Sequence, residues 1–330
     1  MVDSSGTFPL NQVRVGLAFL LVTSILVPSI YQPTLDIIWN GLRYSTVYRW
    51  SSFETLWTVF CYAAIELPIT VVFMNHPQWR IIKDHEKAGG SQPKRTKPRG
   101  MRRPALRGPE IATYIAPLLL MDLTMIKKFA DVPLEAMLAS GNYDSAMVAN
   151  STVSRHRSTF LVPSLHNFTL SSPLQTRRAL PEVAPTSRRL ALELLISFFI
   201  YDAMFFLFHF ALHTIPLFRR FHAPHHRHDA QLNPQVTNQL HVAERLGLVL
   251  LANFSLNIIG SHVLTRTLFV PVFVWLLVEI HSGLDLPWAY DKIMPEGWGG
   301  GARKHLKHHR TGEGGYEPFF TWWDGLLGMV

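Results

Sequence analysis

Histidine dominates the chemistry this chain could perform. Of its 16 histidines, 12 fall between His209 and His309, where an even spread would put about five. His209 and His213 are spaced i, i+4, which sets both imidazoles on one face of a helix. His222, His225 and His226 form an H-x-x-H-H pattern, repeated 83 residues later by His305, His308 and His309, with His281 between them. Imidazole suits zinc, copper, iron and nickel. A structural zinc takes four ligands and a catalytic zinc three plus water, so these nine histidines exceed one zinc site. Two metal ions with mostly nitrogen ligands and open positions fit the count better. Carboxylate-rich di-iron bundles use Glu-x-x-His, and no such motif is present. The pattern points to a histidine-rich di-iron centre, with two zinc ions or a metal-transport relay as the other readings.

Polar neighbours extend the candidate site. Asp202 lies seven residues before His209, two turns earlier on the same face. A carboxylate inside a membrane helix is a functional candidate, and orienting an imidazole N–H is work such a group can do. His241 and Glu244 precede an apolar hairpin on the histidine side and are candidates for supporting the ligands. His262, at the hairpin turn, is expected to be structural. The lone cysteine, Cys61, allows neither an intramolecular disulfide nor a cysteine zinc site.

The elements that must position these residues are membrane helices. Charged residues make up 16% of the chain, against about 25% in soluble proteins, and the AVILMFWYC set reaches 48%. These values exclude disorder and a coiled coil. Apolar blocks cover residues 15–30, 56–74, 111–126 and 190–210, with a hairpin at 246–260 and 263–280. The first hairpin arm is short for a hydrocarbon core of about 30 Å, so the hairpin is expected to dip into the membrane and return. The net charge of +8 is concentrated in loops, above all 79–108, and reads as positive-inside topology rather than nucleic-acid binding. Residues 139–187 are a Ser/Thr/Pro-rich loop with sequons at Asn150 and Asn167.

Taken together, H-x3-H, H-x2-H-H and a final H-x2-H-H around a membrane hairpin resemble the fatty acid hydroxylase/sterol desaturase superfamily. LPEVAP, NIIGSHVLTRTLF, VEIHSGLDLPW, PEGWGG and PFFTWWDGLLG most resemble its cholesterol 25-hydroxylase-like members. The resemblance implies an O₂-dependent membrane oxygenase with two iron ions, hydroxylating an unactivated C–H bond of a sterol or fatty acyl chain. A desaturase or methyl oxidase on the same centre is the alternative. It further implies electrons from an NAD(P)H-dependent reductase, often through a b5-type cytochrome, and residence in the endoplasmic reticulum membrane. Carried over, the ligands are His209, His213, His222, His225, His226, His281, His305, His308 and His309. Fatty acid 2-hydroxylases have a second histidine four residues after the His281 position; here stands Asp285, a carboxylate able to ligate or to support a ligand.

The expected fold is all-α: a polytopic membrane helical bundle with a cytosolic, histidine-rich di-iron cap. Residues 1–108 supply N-terminal membrane helices and a basic cytosolic loop, 109–188 a weak membrane helix and the Ser/Thr/Pro-rich loop, and 189–330 the catalytic unit. Pro224 disfavours helix at Ala223, so His222 is expected to reach the metals from a loop. Phe205, Phe206 and Trp275 are candidates for lining a lipid slot.

Overall fold

A computed structural model describes residues 8–81, 108–127, 129–133, 136–137, 140, 164–165, 174–226 and 232–328, with only the backbone at 109–111, 126 and 164–165. Asn150, Asn167, His228 and most of the basic loop lie outside the described residues. The described chain is all-α apart from one two-residue antiparallel pair, Met125–Ile126 with Ser164–Leu165.

Its helices, in chain order, are α1 (Leu10–Leu26), α2 (Gln32–Tyr44), α3 (Phe53–Asn75), α4 (Gly108–Thr124), α5 (Ser187–Thr214) and α6 (Pro216–His226). Then come α7 (Val242–Ile258), α8 (Val263–His281), α9 (Tyr290–Ile293), α10 (Gly301–Thr311) and α11 (Trp322–Leu326). Helices α3, α5 and α8 are long and apolar enough to cross a membrane. Apolar side chains such as Phe19, Phe60, Val71 and Leu207 point outward and stay exposed. So large an uncovered apolar surface marks a lipid-facing exterior rather than a water-facing one.

Two polar layers cap the bundle, a histidine end and a far end, and the principal helices run between them in alternating directions. Near its start, α1 donates from Arg14 Nε to Ile293 O (3.1 Å); near its end, Ser24 O accepts from Ser187 Oγ (2.8 Å). Helix α3 begins at the far end, where Glu54 meets Arg266 (3.2 Å), and finishes beside the bridge between Arg80 and Leu284. In α4, Tyr114 donates to Leu240 O at the histidine end (3.1 Å). That helix closes at the far end, where Lys127 meets Asp122 (2.7 Å). A weak span by composition, with Pro117 and Asp122 inside it, α4 therefore joins the two layers.

The hairpin joins the same two layers. Its first arm, α7, runs from Glu244 beside His222 to Asn257 beside Arg266 and traverses the same depth as its partner. It gains an extra turn at its start, where His241 caps Val242–Ile258 by accepting from Ala243 N (3.1 Å). At about 1.5 Å per residue this suffices, because Arg266 and His281 on α8 are only about 22 Å apart along the axis. His262 caps α8 in the same way, accepting from Leu264 N (3.1 Å), which is the structural role expected of it. The turn is held to α5 by Glu193, which accepts from His262 N (2.9 Å) and pairs with Arg189 (2.5 Å).

Aromatic packing fills the middle of the bundle, with Phe198, Tyr201, Phe269 and Phe319 buried in one cluster. Gly283, just after His281, has φ +68, and a Cβ there would lie 2.2 Å from Leu232 O. Only glycine permits this turn, which ties the end of α8 to residue 81 through Ile81 N and Gly283 O (2.9 Å).

Candidate metal centre

Four helices bring the nine histidines together. The last turns of α5 present His209 and His213, α6 carries His222, His225 and His226, α8 ends on His281, and α10 carries His305, His308 and His309. They sort into two groups: His209, His213, His222, His226 and His308 in one, His225, His281, His305 and His309 in the other. Within each group, one ring nitrogen per residue lies within 4.8 Å of every other. Both α6 and α10 serve both groups, because the H-x-x-H-H spacing divides their rings between two sides of the helix. His222 sits inside α6, not on a loop. Pro224 is tolerated there because the carbonyl it leaves unpaired, four residues back at the exposed Arg220, can turn to water.

Four of the rings are set by what their Nδ1 meets. Nδ1 donates to Tyr316 O from His209 (2.8 Å), to Leu277 O from His281 (2.7 Å) and to Gly314 O from His308 (2.6 Å). His222 Nδ1 donates to Glu244 Oε1 (2.7 Å). Since a carbonyl oxygen only accepts, Nδ1 of His209, His281 and His308 carries the proton and Nε2 presents a lone pair.

The lone pairs then face one another. His209 Nε2 lies 3.0 Å from His222 Nε2, and His281 Nε2 lies 2.9 Å from His305 Nε2. Acceptor against acceptor is repulsive, and a shared cation reverses the sign. Nitrogens about 2.1 Å from one ion stand about 3.0 Å apart at right angles and about 3.4 Å apart in a tetrahedron. The observed spacing suits the former. His213 Nε2 and His308 Nε2 are buried with no hydrogen-bond partner, as ligand atoms would be. Burial, reinforced by neighbouring imidazoles, holds His222, His225, His305 and His309 well below the usual histidine range and His308 at about 3. All five are therefore neutral near pH 7, the form that binds metal. The donor set fits two ions of the nitrogen-preferring transition metals.

Of the other candidates, Glu244 supports a ring directly, while three serve elsewhere. Asp202 does not reach His209; two helical turns set it about 10 Å away along α5. Its Oδ1 instead accepts from Phe319 N (3.0 Å) and Phe320 N (3.3 Å), fixing the loop whose Tyr316 carbonyl holds His209. Asp285 stands outside both groups, paired with Lys292 and Arg303 (2.6 Å each). His241 is the cap of α7. The orienting carbonyls of Leu277, Gly314 and Tyr316 had no signal in the sequence. Nor did the buried Glu317 and Asp324, which accept from Trp323 N (2.9 Å) and Tyr316 N (3.2 Å) and tie the same loop to Lys304.

A cavity of about 320 Å³ leads from the histidines into the bundle. His209, His222, His225, His281 and His305 form one end, so it meets both groups, and its walls are largely apolar, including Phe205, Leu118 and Phe273. Phe206 packs on Tyr316 and Trp275 donates to Glu279 (2.7 Å), so neither lines it.

Bundle, paired histidine groups and cavity define a membrane protein with a candidate two-metal site open to an apolar chamber. Residues 194–329 match the fatty acid hydroxylase family, and the relatives this part resembles support its placement in the fatty acid hydroxylase/sterol desaturase superfamily. It is 35% identical to cholesterol 25-hydroxylase of Rattus norvegicus, over 46% of this chain and 51% of the relative. With the human cholesterol 25-hydroxylase it shares 35% identity, over 46% and 56% of the two chains. Methylsterol monooxygenase erg25A of Aspergillus fumigatus is 32% identical, over 44% and 49%. The chain spans about half the length of the curated relatives it matches. No solved structure matches it.

Proposed function

We propose that this protein is a membrane-bound, O₂-dependent oxygenase that hydroxylates an unactivated C–H bond of a lipid, a sterol or a fatty acyl chain. One observation carries the reading: two groups of neutral, inward-facing imidazoles close one end of an apolar cavity. Two iron ions bound there would supply the O₂ reduction that oxidation of an unactivated carbon requires. The chain does the rest. All nine ligands lie in the proposed catalytic unit, 189–330, while helices from 1–108 and 109–188 wall the cavity through Trp57, Tyr62 and Leu118. These walls exclude water and hold the carbon against the histidine end. Main-chain carbonyls and Glu244 keep the Nδ1 protons in place, so the Nε2 lone pairs stay available.

The relatives named for sterol oxidation favour a sterol, and their names include both a hydroxylase and a methylsterol monooxygenase. A desaturase or methyl oxidase on the same centre is the second reading. A transport relay is disfavoured because the ligands gather at one end of the bundle instead of spreading through it. We place the protein in the endoplasmic reticulum membrane, histidine end to the cytosol, with electrons from an NAD(P)H-dependent reductase, directly or through a b5-type cytochrome. Mass spectrometry of lipids and sterols from cells with and without the protein, under ¹⁸O₂, tests this. One ¹⁸O in a new lipid alcohol is expected; a new double bond without ¹⁸O would favour the desaturase, and no oxidised lipid would overturn the reading.

A further inference from the structure

The end of the cavity away from the histidines is not apolar. Glu54, Asp122, Lys127 and Arg266 line it, two acids and two bases. Glu54 pairs with Arg266 (3.2 Å) and Lys127 (3.5 Å), and Lys127 with Asp122 (2.7 Å). Arg266 is also committed to Asn257 (2.8 Å) and Asn253 (2.6 Å). Behind them Arg178, outside the cavity lining, pairs with Glu54 (3.2 Å) and donates to Tyr48 O (2.9 Å).

Four charged groups inside an apolar bundle are costly unless each is matched, and among these four one buried oxygen is left over. Asp122 is 7% exposed; the Thr55 hydroxyl lies beside its carboxylate, and its Oδ2 makes no hydrogen bond within the structure. Beside it, the Lys127 ammonium has three protons and two carboxylate partners, Asp122 and Glu54. The chamber thus offers one free acceptor and one free donor side by side, about 22 Å along α8 from His281. A hydroxyl, which both donates and accepts, satisfies the two together. A carboxylate would set its oxygens against Asp122 and Glu54, and a hydrocarbon end would leave Asp122 unpaired.

We infer that Asp122 and Lys127 form a hydroxyl-recognition subsite that anchors the polar end of a neutral lipid alcohol. The opposite end of the same molecule is thereby delivered to the histidines. The subsite selects the substrate class by its hydroxyl, and the fixed span between the two ends of α8 selects the carbon oxidised. Fatty acids and capped alcohols are excluded at the far end, whatever the fit of their chains.

This deepens the oxygenase reading and rests on it for the word substrate, so its test is a binding measurement that needs no turnover. The full-length protein in detergent is titrated with cholesterol, cholesterol 3-methyl ether, 5α-cholestane and palmitate, with thermal stabilisation as the readout. Cholesterol is expected to bind about tenfold or more tightly than the ether or the hydrocarbon, the worth of a hydrogen bond to a charged group, and palmitate least. Asp122→Leu is expected to abolish that preference and Asp122→Asn, which keeps an acceptor oxygen, to retain part of it. Equal binding of cholesterol and cholestane by the unmodified protein, or tighter binding of palmitate, would overturn the subsite; this comparison stands even if Asp122→Leu does not fold. Oxidation of cholesterol and its methyl ether at equal rates would sink the subsite and leave the oxygenase reading intact. Selective binding without any oxidised product would do the reverse.

Discussion

Replacing Glu244 by Gln tests the centre most directly, because its carboxylate supports one ligand of one group. Glu244 and His222 side chains are each 4% exposed and meet at 2.7 Å. Leaving a buried donor such as His222 Nδ1 without its partner costs about 1–3 kcal/mol, or about 5–150-fold in an equilibrium. Loss of such support commonly costs metal affinity about 10–100-fold. Gln keeps an oxygen that can still accept from Nδ1, so Glu244→Gln should fall near tenfold and Glu244→Leu near a hundredfold. The effect should be confined to one ion, since His222 belongs to the five-histidine group and is the ligand that Glu244 holds. Purified protein, loaded anaerobically with Fe(II), would be titrated with a chelator while the metal remaining per chain is followed. Wild type should release two ions at high chelator; Glu244→Gln should release one at about a tenth of that concentration and the other unchanged. Two ions shifting together, or neither shifting, would refute the division into two groups with separate supports.

Other expectations follow from the same contacts. His281→Ala should lose metal from the four-histidine group and lose activity, whereas His262→Ala should keep both ions; metal analysis of the two variants separates them. Asp202→Ala strands the buried amides of Phe319 and Phe320, so it should destabilise the protein by about 1–3 kcal/mol and open the loop at 312–320 to protease, with turnover falling as His209 loses its carbonyl. His262 must be neutral to accept from Leu264 N, and burial with the nearby Arg189 lowers its pKa to about 4. Its contribution is therefore complete above about 6.5 and lost as pH falls from there through about 4. His262→Asn caps without titrating, so its melting temperature should fall less than that of wild type over this window; parallel curves would contradict the assignment.

The two histidine groups were legible because H-x3-H and two H-x-x-H-H patterns set the rings on shared helix faces. The all-α membrane bundle was legible from blocks of apolar residues. What supports the ligands was not. Spacing i, i+7 sets Asp202 on the His209 face of α5, but face is not height, and two turns separate the pair. Tyr316, Gly314 and Leu277 act through main-chain oxygens, which every residue has, so no side chain betrayed them. Asp285 was read through a ligand position of other proteins, yet here the nearby Lys292 and Arg303 claim it. Asp122 looked like a flaw in a membrane helix. Its partner Lys127 lies beyond the helix end, and their other neighbours come from helices far away in sequence.

The main-chain oxygens that hold His209, His281 and His308 have a consequence for how such a site can drift over evolution or be redesigned. A codon change can erase a carboxylate; it cannot erase a peptide carbonyl. Three of the four named orienting contacts are thus inherited through the path of the backbone, which at 314 runs through a glycine in the left-handed region (φ +58). Tuning by substitution is left to Glu244, the one of these four supports that mutation can delete outright.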